Sequence, residues 1–130
     1  MDVIHPFFKG ENNMIKDSTI ERIRRFNKER DWHQYHTPVN LAKSICIEAG
    51  ELLECFQWSD TDFDKAHVCE ELADVLNYCL QMADELGVDA DEIINAKCDQ
   101  NERKYPVSKA RGKSNKYTAY MEIKAEDSRK

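Results

Sequence analysis

The 130-residue sequence lacks a CxxC pair, an apolar run of membrane-spanning length and any excess of positive charge. Its five cysteines, Cys46, Cys55, Cys69, Cys79 and Cys98, are odd in number and widely spaced. Neither a zinc-ligand spacing nor a redox dithiol results, and a reducing, cytoplasmic environment is expected. Near the start, Val3-Ile4 and Phe7-Phe8 are the longest apolar pieces, and His5, Pro6 and Lys9 interrupt them. No signal-peptide core is left, and no membrane partner is expected. Against 25 acidic residues stand 19 basic ones, a formal charge of -6. Without an overall basic field to attract phosphate backbones, a nucleic-acid partner is not expected either. No segment alternates with the period of a strand, and there is no fixed-spacing repeat or low-complexity tract.

What is present is helical periodicity. Ser18-Thr19-Ile20-Glu21 has the form of a capping box, and it predicts a helix to about Arg30 with Ile20, Ile23 and Phe26 on one face. An aromatic, histidine-rich connector follows, Asp31 to His36, closed by Thr37 as a cap and Pro38 in the first helical position. A second helix is expected from Pro38 to about Gln57. The turn chemistry of residues 59–64 leads to a third helix ending near Leu86, before Gly87 as a left-handed cap. Asp89 with Glu92 begins a fourth, which Pro106 stops.

Four helices with short links predict an all-α fold, an antiparallel four-helix bundle. Residues 1–17 are expected to form a leader, of which those before Met14 are dispensable, residues 18–120 the domain, and residues 121–130 a polar tail. Burying a core in so short a chain favours pairing with further copies.

The chemistry gathers on two helices. At about 100° per residue, Leu41, Ile45, Leu52 and Phe56 form one stripe of the second helix, with Glu48 inside it, Glu51 on its border and Glu54 pointing away. On the third helix Val68, Leu72, Val75, Cys79 and Leu86 group together, with Glu71, Asp74 and Tyr78 along one flank and Glu70 on the far side. Acids three residues apart are commonly a solvated helix face. Glu48, however, has Ile45 and Leu52 a turn away on either side, where an unpaired carboxylate costs several kcal/mol unless something positive neutralises it. Four converging carboxylates without histidine ligands suit Mg²⁺ or Mn²⁺ far better than zinc, and the Glu-x-x-His pairs of a di-iron bundle are missing. On the fourth helix, Lys97 and Asn101 lie four apart on one face. The basic stretch from Arg103 to Lys116 is either a solvated tail or a cover for an anion or a neighbouring subunit.

Six motifs together resemble the all-α nucleotide pyrophosphohydrolases, the MazG-like superfamily, and within it the dCTP pyrophosphatase branch. They are Glu-Arg-Asp-Trp (29–32), Glu-Ala-Gly-Glu-Leu (48–52), Phe-Gln-Trp (56–58), Glu-Glu-Leu-Ala-Asp-Val-Leu (70–76), the run from Lys97 to Pro106, and Lys-Tyr-Thr (116–118). The resemblance implies that Glu48, Glu51, Glu71 and Asp74 ligate Mg²⁺ and act in catalysis. It also implies that Trp32, His33, Gln34, Tyr35 and His36, with Trp58 and Tyr78, form the base and sugar pocket, while Lys97 and Asn101 reach the substrate from the fourth helix. The implied reaction cleaves a pyrimidine deoxynucleoside triphosphate, with dCTP expected, to the monophosphate and pyrophosphate. The alternatives are a broader house-cleaning pyrophosphatase and a non-catalytic helical binding module. Many relatives carry a Glu doublet at the first acidic motif. Here Ile47 precedes Glu48, and both Glu51 and Glu71 stay open as the water-activating base.

Overall fold

The structure, a computed structural model, describes residues 15–114. Most of the expected leader, the expected tail and Lys-Tyr-Thr (116–118) lie outside the described residues. The chain divides into two compact units, residues 1–87 and 88–130. Among the described residues all regular structure is helical.

In the first unit, helix α1 (Asp17–Glu29) leads through a 3₁₀ turn (Trp32–Tyr35) into α2 (Pro38–Glu54) and then α3 (Lys65–Glu85). Two side-chain caps form here, the predicted one at Thr37 and a second at Asp64 that was not expected from the sequence. Thr37 accepts a hydrogen bond from the Asn40 amide at 3.3 Å, and Asp64 accepts one from the Ala66 amide at 3.0 Å; each satisfies an N–H that the first helical turn leaves without a partner. Gly87 closes α3 at φ 66°, a backbone region that costs glycine little.

Two boundaries differ from expectation. Helix α1 starts at Asp17 with Lys16 at its cap position and no side-chain cap, so Ser18 and Glu21 form no capping box. The cap position moves two residues earlier, from Ser18 to Lys16, placing the Asp17 carboxylate in the first turn, where the helix dipole favours negative charge. Helix α2 ends at Glu54 rather than Gln57, because the amides of Cys55, Phe56 and Gln57 bond three residues back and tighten the chain into a turn.

Helices α2 and α3 run antiparallel. Leu41 meets Leu80 and Asp84 around one cavity, Glu48 meets Glu71 and Asp74, and the Phe56 and Phe63 rings lie 4.8 Å apart. Rising numbers on one helix therefore oppose falling numbers on the other. Leu41, 1 % exposed, is the most deeply buried large side chain, with Ala83 also buried. Burying one such leucine contributes about 1.5–3 kcal/mol. Leu72 and Leu86, expected in the apolar stripe of α3, are exposed. Helix α1 is tied to α3 by the Arg24 guanidinium, which donates to both Asp84 carboxylate oxygens at 3.0–3.1 Å from Nε, and by Asn27, whose Nδ2 donates to Gln81 Oε1 at 3.0 Å.

In the second unit, α4 (Ala90–Lys104) is capped by Asp89, which accepts from the Glu92 amide at 3.1 Å. A short α5 (Val107–Ala110), absent from the sequence expectation, follows Pro106. No described helix is long and apolar enough to cross a membrane.

Candidate active site

Two helical periods and one packing contact assemble the acids. Glu48 and Glu51 sit one turn apart on α2, Glu71 and Asp74 one turn apart on α3, and the antiparallel register brings the pairs together. Oxygens of Glu48, Glu71 and Asp74 all fall within 4.8 Å of one another. Glu51 lies near enough to raise the pKa of both Glu48 and Glu71. The α3 face is selective: the Glu70 side chain is 79 % exposed whereas that of Glu71 is 15 % exposed.

Crowding is expensive here. Oε2 of Glu48 and Oε2 of Glu71 are shut away from water and have no hydrogen-bond partner, a condition native proteins seldom leave uncompensated. The Glu48 carboxyl is pushed up to about 7, first by its hydrogen bond with Glu51, then by burial and by the negative charges of Glu51, Asp74 and Glu71. Glu71 is raised as well, chiefly by burial and then by Glu51, against the opposing pull of His67. His67 Nδ1 lies 3.9 Å from Glu71 Oε1 and 3.8 Å from Glu70. An all-oxygen cluster with two orphaned buried acceptors fits a hard divalent cation bound at about 2.0–2.6 Å per oxygen. Asp74 is exposed and leaves the cluster open on one side.

That side opens on a cleft of about 360 Å³ between α1 and α3, within the range of small-molecule sites. Glu48 and Asp74 form its acidic end, and Trp32, His36, Tyr78 and Phe26 supply its aromatic wall. Trp32 is set by the turn before it. Asp31 takes a left-handed conformation at φ 53°, tolerable for a short polar side chain, and Gln34 Nε2 donates to the Asp31 carbonyl at 3.0 Å and to its carboxylate at 3.1 Å. The indole then meets the Phe26 ring edge-on at 5.6 Å and the His36 ring at 6.4 Å.

The other expected substrate residues are placed differently. His33 lines an adjoining cleft of about 420 Å³ that shares Ile23, Asn27, His36 and Gln81 with the first and also contains Arg24, Asp84 and Glu85, and its Nδ1 is 3.8 Å from Glu85. The Gln34 side chain is engaged with Asp31. Tyr35 is exposed, and its carbonyl accepts from Asn40 at 2.9 Å. Trp58, 90 % exposed, lines neither cleft. Lys97 and Asn101 belong to α4 of the second unit, where Lys97 Nζ donates to Gln100 at 2.7 Å.

Sequence reasoning missed Arg22, Phe26, Asn27, Asn77 and Gln81 in the 360 Å³ cleft, and His67 beside Glu71. A signal existed for two of them. Gln81 is seven residues from Asp74 and three from Tyr78, on the same helical face, and His67 is four residues before Glu71.

The model of the MazG-like family matches residues 43–119. The chain is 42 % identical to dCTP pyrophosphatase 1 of Mus musculus over an alignment covering 78 % of this chain and 68 % of that protein. For dCTP pyrophosphatase 1 of Homo sapiens the identity is 38 %, covering 84 % of this chain and 72 % of that protein. A crystal structure of a pyrophosphatase from Archaeoglobus fulgidus DSM 4304 superposes with a TM-score of 0.66 at 42 % identity, covering 69 % of this chain and 91 % of that one.

Proposed function

This chain belongs to the MazG-like family and is a nucleoside triphosphate pyrophosphohydrolase, and on that premise we propose that it is a Mg²⁺-dependent enzyme of nucleotide-pool house-cleaning that converts dCTP to dCMP and pyrophosphate. The observation that carries the reading is the pair of buried, partnerless oxygens on Glu48 and Glu71, at the acidic end of a cleft with aromatic walls.

Glu48, Glu51, Glu71 and Asp74 hold the cation, with Mn²⁺ as a substitute. Mg²⁺ bound there supplies the positive charge that offsets the triphosphate and the departing pyrophosphate. Water attacks the α-phosphorus, the bond from that phosphorus to the α–β bridging oxygen breaks, and the bridging oxygen leaves with pyrophosphate. The water's proton passes to a carboxylate of the cluster, Glu51 or Glu71, and from there to solvent. Trp32 and Tyr78 offer stacking surfaces for the base. His36 lines the same cleft and belongs to the proposed substrate site as well.

The antiparallel four-helix bundle, its assembly as a homodimer or tetramer and a cytoplasmic location belong to the same proposal, as does the absence of nucleic-acid or membrane partners. Large apolar side chains exposed on the single chain, among them Ile47, Leu53, Leu76 and Ile94, support the assembly.

The test is product analysis after incubation of the purified protein with dCTP and Mg²⁺, beside dTTP, dUTP, CTP and dATP. The expected products are dCMP and pyrophosphate, with kcat/KM reduced about a hundredfold or more in Glu48→Gln and Asp74→Asn, the scale of one lost electrostatic contact at a reacting centre. Release of dCDP and phosphate would place the cleavage at the wrong bond, and full activity in both variants would end the carboxylate mechanism.

A further inference from the structure

Three primary amides meet in the cleft beside the carboxylates. Asn27 Nδ2 on α1 donates to Gln81 Oε1 on α3 at 3.0 Å, and Gln81 Nε2 donates to Asn77 Oδ1, one helical turn earlier, at 2.8 Å. All three residues line the cleft that contains Glu48, Asp74, Trp32 and Tyr78. An amide carries two donor hydrogens and one acceptor oxygen, so a chain of two internal bonds leaves defined groups at its ends. Asn27 keeps its Oδ1 as an acceptor, and Asn77 keeps its Nδ2 as a donor. Asn77 is exposed and Asn27 half-buried, and both line the cleft, which makes these two atoms the amide groups left for whatever fills it.

We propose that the Asn27–Gln81–Asn77 amide chain is the element by which this enzyme tells cytosine from uracil. The inference rests on the dCTP reading above and deepens it. The two bases share sugar, triphosphate and ring size, so volume and stacking cannot separate them. They differ along one edge. Cytosine presents a 4-amino donor beside an N3 acceptor, whereas uracil presents a 4-keto acceptor beside an N3–H donor. With the triphosphate held at the carboxylates, the base enters the cleft in one orientation, and an acceptor at Asn27 with a donor at Asn77 complements the cytosine edge. Uracil in the same pose sets oxygen against oxygen and N–H against N–H, leaving polar groups desolvated and unpaired, which is how a hydrogen-bonding site rejects a near-isostere. Gln81 fixes the direction. Its carbonyl takes the Asn27 donor and its amino group takes the Asn77 acceptor, so each asparagine is turned with a different atom outward. Gln81 is thus a positioning residue, acting through its two neighbours.

The experiment measures kcat/KM for dCTP and for dUTP in wild type, Gln81→Met and Gln81→Glu. Methionine keeps the length of the side chain and removes both hydrogen bonds, freeing the asparagines to rotate. Glutamate keeps a chain but only accepts, so Asn77 must turn its Nδ2 inward and present its oxygen to the cleft. The expected result is a wild-type preference for dCTP that falls about tenfold or more in both variants, the scale of one lost or reversed hydrogen bond, while both still release pyrophosphate. A dCTP:dUTP ratio unchanged in either folded variant would overturn the amide proposal and leave dCTP hydrolysis standing. Should wild type release no dCMP and pyrophosphate from dCTP, or prefer dUTP, the parent reading fails and takes this one with it. A purely structural role for Gln81 lowers both kcat/KM values together and holds their ratio, so it too counts against the proposal.

Discussion

Glu48 on α2 and Glu71 on α3 each present a carboxylate oxygen that neither water nor any donor reaches, with Asp74 beside them. In a helical protein such a juxtaposition subtracts from stability as long as both groups are charged and unpaired. It is therefore a place where ligand binding and folding are linked.

In the metal-free protein the folded-state pKa of Glu48, about 7, stands above the value of about 4.3 expected for an unfolded chain. The folded form then holds a proton that the unfolded form releases, so stability is fully present below the unfolded value and is lost as pH rises through about 7. The raised Glu71 acts in the same direction. Thermal denaturation after chelation is expected to show a lower midpoint at about pH 8 than at about pH 5.5, and added Mg²⁺ to raise the midpoint more at the higher pH. An equal Mg²⁺ effect at both values would contradict this account.

Asp84 behaves in the opposite sense. Arg24 hydrogen-bonds and attracts its carboxylate, which lowers its pKa, so its contribution is present above the unfolded value and lost as pH falls through the depressed one. Both partners are partly exposed, and salt screens them. Asp84→Asn should lower the midpoint by a few degrees at neutral pH and low ionic strength. The deficit should shrink in about 1 M salt; a deficit indifferent to salt would show that packing, rather than charge, joins α1 to α3.

Leu41 is the anchor of the first unit, almost wholly enclosed between α2 and its neighbours. Leu41→Ala is expected to cost about 2–5 kcal/mol in urea denaturation, since the removed methyl groups leave a hole as well as lost burial. Val39→Ala, at an exposed position two residues away, serves as the control and should change stability by less than about 1 kcal/mol.

Local pattern revealed the acidic pairs because everything needed to place Glu48 lay within a turn of it. Ile45 and Leu52 mark the inward side of α2, and a helix of known pitch does the rest. The amides could not be found in this way. Asn27 and Gln81 are 54 residues apart and look like ordinary solvated side chains until α1 is laid against α3. The connector shows the reverse error. Asp31 to His36 reads as one contiguous recognition block, but its tight 3₁₀ turn fans successive side chains outward. Trp32 and His36 reach the carboxylate cleft, His33 faces the other cleft, and Tyr35 faces solvent. At the start of α1, Ser18 and Glu21 had the right spacing for a reciprocal cap, but the helix had already begun at Asp17. At the end of α2 nothing in the residue types announced that three successive amides would bond three back instead of four.

The missing cap has a further meaning. Helices α2, α3 and α4 each open on a side chain that closes off their first turn, whereas α1 opens without a side-chain cap, and α1 is the helix that lends Thr19, Arg22, Phe26 and Asn27 to the cleft beside Glu48 and Asp74. The first turn of α1 is thus the most easily unwound edge of the site. Fraying there would change the α1 wall of the cleft while leaving the carboxylates on α2 and α3 in their places.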